Sequence, residues 1–571
     1  MSSIVDPITV EVFNHALNAI GEEMAATMRH TARSHMARGG DCSTILADAR
    51  GEVIAQGTGT LFHMGYAKAV MPFVLAKWDG RLEPGDIVAV NDPYQGLSHL
   101  PDILLVAPVF WAGRVAAYAM ILAHQMDIGG RWPGGQGIES AEIFEEGLII
   151  PNLKLYHRGA VDPGLMDMIA ANVRTPDDVI GDVEGLASAC RRGVAGVEAL
   201  LERYGLETFE ACTEDLKNRS ARIMGLALAA IPDGDYPSET LFEDDGLGGS
   251  GVVLRLTLRK RGDALTVDFA GTDPQVRSAV NVPWGLTCSA VYAACWFLLA
   301  PEAPCNAGLV RTIEVEAPLG CLVNPRFPAA VGARGMMLWR ITDLLIAAIG
   351  KAAPEQAMAD GEGGVSSFTF VPRGGKLKMM LDYYFGGWGA RPTKDGVDGA
   401  MAFAGGISGG GGSTERLEAE FPIVIEQHGF VPDTGGAGKF RGALAMVRRF
   451  RVLQDGRVMM RCCRSTSVPQ GLSGGQDGTP TRVVHRSAGV DRELPVTMLL
   501  DFDAVAGDTI THIVPGAAGH GNPRERPADL VLADVLDGKL SPAYAERVCG
   551  VVVDLAGGRV DAARTSALRG G

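Results

Sequence analysis

The first part of the chain changes from a helical to a strand-like spacing of apolar residues. Behind Asp6 and Pro7, which suit a helix cap and a first turn, the apolar residues recur at steps of three and four: Phe13, Leu17, Ile20, Met24 and Met28. This spacing predicts one long helix with a single buried face. From residue 41 the apolar residues form short runs, and those at 43–47 and 52–55 predict a hairpin that turns near Gly51.

Three further apolar runs, at 86–90, 103–110 and 115–123, predict additional strands. The first two flank a polar loop that starts with Asn91, Asp92 and Pro93. Because a sheet fixes the positions from which its loops project, such loops are favourable places for a functional site.

The rest of the chain predicts a multidomain protein of the mixed α/β class. Helix-forming residues dominate from 160 to 230 and stop at Pro232-Asp233-Gly234, which marks a domain boundary. Strands then mix with two apolar helices up to about residue 400, and alternating runs after 420 predict strands. We predict an N-terminal α/β domain (1–231), a central α/β domain (232–403), and a glycine-rich loop with a β-rich C-terminal domain (404–571).

Composition narrows the classes of function. The 571 residues suffice for about three domains, and the net charge of −15 without a basic block argues against a nucleic-acid binder. Glycine is unusually frequent, with 75 residues, and predicts tight turns or close backbone approaches. The ten scattered cysteines predict buried thiols rather than a disulfide framework. No signal peptide or long apolar run is present, so we expect a cytoplasmic protein without membrane contact.

Two copies of a His-x-x-Asp motif stand beside predicted strands. The first runs from His99 to Asp102 and the second from His124 to Asp127. A divalent cation is held by two or three imidazole or carboxylate groups that converge from rigid elements. A chain that runs out from one motif and returns to the other would bring these side chains together.

Asp41 and Asp92 lie at comparable strand edges and are candidates to complete such a site. Imidazole and carboxylate ligands together favour Zn²⁺, Mn²⁺ or Fe²⁺ over Ca²⁺. Polar turns also contain His and Asp residues that bond only to backbone. The spacing alone leaves both interpretations open.

Other motifs are incomplete. The glycine run at 435–439 lacks the first glycine and the final Ser or Thr of a phosphate loop, and it predicts a turn. Two Gly-x-Ser-x-Gly matches, at 406–410 and 471–475, lack the preceding strand and following helix of a nucleophile elbow. The sequence therefore shows no nucleotide site and no nucleophilic serine.

An ordered series of motifs extends along nearly the whole chain: DPITVEV at 6–12, DCS at 41–43, NDPY at 91–94, HLPD at 99–102, HQMDIGG at 124–130, EGL at 146–148, GTDPQ at 271–275, NAG at 306–308, DTGGAGKFRG at 433–442 and GLSGG at 471–475. This series resembles the hydantoinase B/oxoprolinase family, which includes the large subunits of acetone and acetophenone carboxylases. The chain departs from the family at 408–413, where glycines and serines replace a His-Met-Thr-Asn run.

The resemblance implies one subunit of a heterotetramer. The partner would be a hydantoinase A-like chain that binds ATP and Mg²⁺ and phosphorylates the substrate. The metal ligands would fall on His99, Asp102 and His124, with Asp41 as a fourth carboxylate. The resemblance implies that the N-terminal domain binds a metal, with Zn²⁺ as the expected metal and Mn²⁺ or Fe²⁺ as alternatives.

We therefore predict the metal-dependent subunit of an ATP-dependent amidohydrolase that opens a lactam, a hydantoin or 5-oxoproline. Asp127 is expected to orient an imidazole, and Glu146 to act as a general base. Two alternatives stay open. The chain would otherwise be a subunit of an acetone- or acetophenone-type carboxylase, or a non-catalytic scaffold for its partner.

Overall fold

The computed structural model describes residues 5–57, 59, 63–135, 137–249, 251–364, 366–374, 379–400, 413–464, 466–496 and 498–570. The glycine-rich run at 405–412, with the motif at 406–410, lies outside them. The described residues form two compact units. One comprises those of 1–241 and 247–342, and the other those of 242–246, 343–403 and 411–571. The division into three domains stays a prediction.

Helices occupy most of the segments where the sequence predicts them. They are α1 (Pro7–Thr31), α2 (His35–Gly39), α3 (Met64–Trp78), α4 (Pro163–Asn172), α5 (Pro176–Tyr204), α6 (Leu206–Ala229), α7 (Trp284–Leu299), α8 (Gly335–Ala352), α9 (Thr414–Glu420), α10 (Ala528–Leu536), α11 (Pro542–Tyr544) and α12 (Ala562–Arg569).

Strands of the first unit are β1 (Cys42–Asp48), β2 (Val53–Gln56), β3 (Ile87–Val90), β4 (Asp102–Trp111), β5 (Arg114–His124), β6 (Leu153–His157), β7 (Ala160–Val161), β8 (Gly234–Phe242), β9 (Val252–Arg261), β10 (Ala264–Asp268) and β11 (Ile313–Glu316). Those of the second are β12 (Ser366–Pro372), β13 (Met380–Tyr384), β14 (Ile423–Val431), β15 (Ala445–Val452), β16 (Gly456–Arg461), β17 (Arg482–Ser487), β18 (Val490–Glu493), β19 (Leu499–Ala504), β20 (Thr509–Ile513), β21 (Val553–Asp554) and β22 (Arg559–Val560). The mixed α/β class is confirmed.

Helix α1 forms as its sequence predicts. The Asp6 carboxylate accepts hydrogen bonds from the backbone N–H groups of Ile8 and Thr9, and Pro7 occupies the first turn. The predicted apolar stripe is buried along its whole length, from Phe13 to Met28. This stripe packs against α5 and one face of a seven-stranded sheet, in the core of the first unit.

The seven-stranded sheet of the first unit has the order β2-β1-β5-β4-β3-β6-β7. The predicted hairpin of β1 and β2 is present, and Gly51 in its turn has a φ of 79°. Strands β4 and β5 form the centre of the sheet and are joined by a short turn at Gly113. Both faces of these two strands are buried, so they form a rigid base for the loops at their ends.

The second unit contains a four-stranded sheet, β13-β12-β16-β19, and a five-stranded sheet, β14-β15-β20-β17-β18. Its glycine motifs let backbone segments meet. A Cβ atom on Gly442 would lie 2.1 Å from the carbonyl oxygen of Ala517, and one on Gly519 would lie 2.3 Å from that of Ala437. The glycine-rich composition therefore reflects close backbone packing at these positions.

The ten cysteines are free thiols, and all except Cys305 are buried. Burial raises the pKa of Cys42, beside the candidate ligand Asp41, to about 12. The prediction that most cysteines are buried is confirmed, with Cys305 as the exception. Within the described ranges, no helix is long and apolar enough to cross a bilayer.

Candidate metal centre

The register of the central strands brings the two His-x-x-Asp motifs together. Asp102 begins β4, His124 ends β5, and the two are direct partners in the antiparallel ladder. His99 lies in the turn before β4, where its carbonyl oxygen accepts a hydrogen bond from the N–H of Asp102 at 3.2 Å. On the other side of β5, the N–H of His124 donates to the carbonyl oxygen of Asp41 at 3.2 Å. The four predicted ligands therefore share one edge of the sheet.

Three ligand atoms converge at this edge. His99 Nε2 lies 3.0 Å from Asp102 Oδ1 and 3.1 Å from His124 Nδ1, and the last two atoms are 3.1 Å apart. All three side chains are buried, and the imidazole rings stack with centroids 4.9 Å apart. The arrangement is a nearly equilateral triangle of two nitrogens and one oxygen.

The environment sets the protonation states that metal ligands need. Desolvation, followed by the nearby Arg334 guanidinium, holds the pKa of His99 well below its usual range, so the imidazole is neutral. Desolvation opposes ionisation of Asp102, but the two imidazoles and Arg334 outweigh it and hold its pKa well below the usual range. A neutral imidazole, as in His99, and an ionised carboxylate, as in Asp102, are forms that bind divalent cations.

The triangle fits a divalent cation. Metal–ligand bonds of about 2.0–2.1 Å place neighbouring ligand atoms about 3.0–3.4 Å apart, depending on the coordination angle. The observed separations of 3.0–3.1 Å fall in this range. The His99 Nδ1 atom is buried and has no hydrogen-bond partner among the described residues, whereas Nε2 faces Asp102 and His124. The donor set suits Zn²⁺, Mn²⁺ or Fe²⁺.

Asp41 lies next to this triangle without being part of it. Among the described residues, the ligand atoms within 4.8 Å of one another come from His99, Asp102 and His124. The Asp41 side chain is half-buried, and desolvation, with a smaller contribution from Asp102, raises the pKa of its carboxyl. Its predicted role as a fourth ligand stays a prediction.

Two polar side chains that no sequence motif indicates hold Asp102 in place. Ser98 Oγ donates a hydrogen bond to Asp102 Oδ2, while the guanidinium of Arg334 donates to Ser98 Oγ at 3.3 Å and lies 3.7 Å from Asp102 Oδ2. Arg334 Nε is buried and has no hydrogen-bond partner among the described residues. Ser98 and Arg334 are 236 positions apart, so no local spacing relates them.

His63 is a third residue that the sequence patterns do not single out. Its Nδ1 lies 2.7 Å from Ser43 Oγ, and its ring stacks on Tyr66 with centroids 5.0 Å apart. Burial lowers the pKa of His63 to about 4, so the imidazole is neutral near pH 7. Asp102 and Arg334 both influence its pKa, which places His63 in the same electrostatic environment as the triangle.

Asp92 forms a turn beside this loop. Its carboxylate accepts hydrogen bonds from the N–H of Tyr94 at 2.9 Å and from Gln95 Nε2 at 3.0 Å. These contacts are typical of an Asx turn. The hydrogen-bond donors described for the Asp92 carboxylate therefore lie within its own turn.

The buried Asp127 carboxylate fixes a loop. It accepts hydrogen bonds from the N–H groups of Gly129, Gly134 and Arg174, and the Arg174 guanidinium donates to Asp127 Oδ1 at 2.9 Å. These four donors come from two segments of the chain. Its predicted role in orienting an imidazole stays a prediction, since the described contacts of this carboxylate are with backbone and Arg174.

We expect Asp127→Asn to destabilise the protein without reducing its metal content. The substitution removes the charge that pairs with Arg174 and directs an NH₂ group at N–H donors, which costs about 2–3 kcal/mol. The melting temperature is therefore expected to fall by several degrees. Asp167→Asn, at an exposed position of α4, is the matched control. Loss of metal from Asp127→Asn with an unchanged melting temperature would contradict this assignment.

Glu146 is buried between two loops. Its Oε1 accepts hydrogen bonds from the N–H groups of Val331 at 2.9 Å and Gly332 at 2.6 Å, and Oε2 is buried without a partner among the described residues. Desolvation raises the pKa of Glu146 to about 8, although the two N–H groups oppose the shift. The loop that holds this carboxyl leads directly to Arg334.

The chain is similar to known proteins in sequence and in fold. The family described as hydantoinase B/oxoprolinase matches residues 6–523. The caprolactamase subunit beta of Pseudomonas jessenii is 30% identical, with 99% of each chain covered. A crystal structure of the ATP-dependent caprolactamase from P. jessenii superposes with a TM-score of 0.91 at 29% identity over 100% of both chains. A nucleotide-free acetone carboxylase shares the fold, with a TM-score of 0.89 at 20% identity over 99% of this chain and 82% of that one.

Proposed function

Because the chain belongs to the hydantoinase B/oxoprolinase family, we propose that it is the metal-dependent subunit of an ATP-dependent amidohydrolase that opens a cyclic amide. The substrate class comprises lactams, hydantoins and 5-oxoproline. The observation that carries the proposal is the convergence of His99, Asp102 and His124 at 3.0–3.1 Å on one sheet edge.

The proposal includes a hydantoinase A-like partner in a heterotetramer. An unstrained amide is a poor electrophile, so the partner would use ATP and Mg²⁺ to phosphorylate the carbonyl oxygen and create a leaving group. Two observations support this division of labour. The P. jessenii relative is called a subunit of a caprolactamase, and the caprolactamase of the crystal structure is ATP-dependent. The motif at 435–439 also lacks the residues of a phosphate loop.

His99, Asp102 and His124 would hold the cation, and Asp41, whose backbone carbonyl accepts a hydrogen bond from His124, stays the predicted fourth ligand. The order of preference is Zn²⁺, then Mn²⁺ or Fe²⁺. When bound, such a cation supplies a Lewis acid and lowers the pKa of a coordinated water toward neutrality. Ser98 holds the Asp102 carboxylate in a single orientation, so that Oδ1 faces the two imidazoles.

Arg334 and Glu146 would handle charge and protons in this proposal. The Arg334 guanidinium faces the site from the side of Ser98 and would stabilise negative charge on a phosphorylated substrate or its tetrahedral intermediate. With a pKa of about 8, Glu146 is mostly protonated at pH 7. It would then donate a proton, whereas the sequence interpretation assigned it the role of a base.

The test is to assemble the chain with a purified hydantoinase A-like partner and measure ADP release against a panel of substrates. We expect ATP-dependent ring opening of at least one lactam, hydantoin or 5-oxoproline. A ketone with bicarbonate belongs in the panel, because ketone carboxylation without ring opening would overturn the proposal in favour of a carboxylase subunit. Full activity of an enzyme assembled with the metal-free chain, with Mg²⁺ supplied only for ATP, would leave the chain as a scaffold.

A further inference from the structure

A groove of about 710 Å³ on the first unit is lined with exposed aromatic and apolar side chains. We call it the aromatic groove; its apolar lining is Phe73, Tyr94, Trp284, Leu319 and Phe327. Phe73 is 44% exposed, and Leu319 and Phe327 are 58% and 56% exposed. Large contiguous apolar patches on a protein surface are typical of interaction sites.

Edge-to-face contacts between aromatic rings hold one side of the groove together. Phe327 packs edge-to-face on Tyr94, with centroids 5.4 Å apart, and on Phe144, at 5.6 Å. The Tyr94 hydroxyl donates to the carbonyl oxygen of Ala329 at 2.6 Å, which joins the two loops that line the groove. Rigid aromatic anchors of this kind are the residues that carry most binding energy in protein interfaces.

Two cations in the groove form no ion pair with a carboxylate among the described residues, although Glu52 acts on Lys68 from a longer distance. Lys68 Nζ donates to the hydroxyl of Tyr292 at 3.0 Å, and the guanidinium of Arg326 donates to the carbonyl oxygen of Leu319 at 3.3 Å. Both side chains are exposed. In a chain of net charge −15, a groove that offers two such cations is complementary to an acidic ligand.

The groove is linked along the chain to the candidate metal centre. Its wall at Pro93, Tyr94 and Gly96 belongs to the loop that continues to His99. A neighbouring part of the lining, at 325–327, belongs to the segment that continues to Arg334. A molecule bound here would therefore contact both loops that carry site residues.

We infer that the aromatic groove is the docking surface for the ATP-binding partner, through a segment that presents apolar side chains beside at least one carboxylate. This inference rests on the proposed function, which requires an activated substrate to pass from the partner to the metal centre. Apolar burial would give affinity, and the two cations would give the orientation of the docked segment.

The test compares two double variants with matched chemistry. Lys68→Glu with Phe73→Glu changes the groove on α3, and Arg222→Glu with Leu226→Glu makes the same kind of change on the exposed surface of α6. The probe is the purified hydantoinase A-like chain, titrated calorimetrically without ATP or substrate. We expect the groove variant to bind about 30-fold more weakly or worse, and the α6 variant to bind within about 2-fold of the unaltered chain.

Lys68→Glu alone is the second variant, because one exposed substitution preserves the fold. We expect it to weaken binding by about 5-fold or more, with the difference shrinking at high salt. The inference would be overturned if the groove variants bound the partner as tightly as the unaltered chain does. It would also be overturned if the variants lost self-association of this chain but bound the partner unchanged. If the groove variants lose binding but the assembled enzyme opens no cyclic amide, the docking surface stands and the proposed function fails. If the unaltered chain does not bind the partner, both fail.

Discussion

His99→Ala and His124→Ala are each expected to lower the metal content of the purified chain and to reduce ATP-dependent hydrolysis by about 1,000-fold or more. Each substitution removes one of three donor atoms that converge at 3.0–3.1 Å, leaving too few ligands to hold a cation. Loss of residues that only orient a ligand typically costs 10–100-fold, so loss of a ligand itself should cost more. Mass spectrometry of bound metal and release of ADP in the assembled enzyme provide the two measurements.

The matched control is His30→Ala. This imidazole is exposed on α1, where its Nδ1 lies 2.7 Å from the carbonyl oxygen of Ala26. We expect the control to keep its metal and its rate. Full metal content and full activity in both His99→Ala and His124→Ala would refute the metal centre and every catalytic interpretation based on it.

The part of the site that the sequence predicts is the part made by neighbouring strands. The runs at 103–110 and 115–123, with a glycine turn between them, predict an antiparallel hairpin whose outer ends meet. The observed pairing of Asp102 with His124 follows from that local pattern. The sequence alone therefore locates this edge of the sheet, because short-range turns determine strand register.

The remaining polar partners come from distant segments, which no local pattern relates. Arg334 approaches Ser98 from the start of α8, and the backbone of Val331 and Gly332 cradles the Glu146 carboxyl. Each contact depends on how the sheet packs against a loop far along the chain. Hydrophobic periodicity reports which face of an element is buried, but it does not report which polar loop covers its end.

A sequence motif also shows which residue types are present, but it does not show where their side chains point. Asp102 and Asp127 hold the same position in the two His-x-x-Asp motifs. The first faces two imidazoles, whereas the second accepts hydrogen bonds from backbone N–H groups and Arg174. The difference arises because Asp102 is the first residue of β4, while Asp127 lies three residues beyond the end of β5, in a loop.

Glu146→Gln is expected to change how the stability of the protein depends on pH. Folding raises the pKa of this carboxyl from about 4.5 to about 8, because the folded protein desolvates it. The folded state therefore holds a proton that the unfolded state releases between these pH values. The stabilising contribution of Glu146 is fully present below pH 4.5 and is lost as the pH rises toward 8, at about 1.4 kcal/mol per pH unit.

Glutamine cannot ionise, and its carbonyl oxygen can still accept the hydrogen bonds from Val331 and Gly332. The free energy of unfolding of Glu146→Gln, relative to that of the unaltered chain, should therefore rise steadily from pH 5 to pH 8, by up to about 4 kcal/mol in total. The difference between the two melting temperatures should rise with it. Melting curves at five pH values measure it, with the exposed Glu139→Gln as control. Parallel melting temperatures for Glu146→Gln and the unaltered chain across this range would show that Glu146 is ionised in the folded protein, and the proton-donor role would then fail.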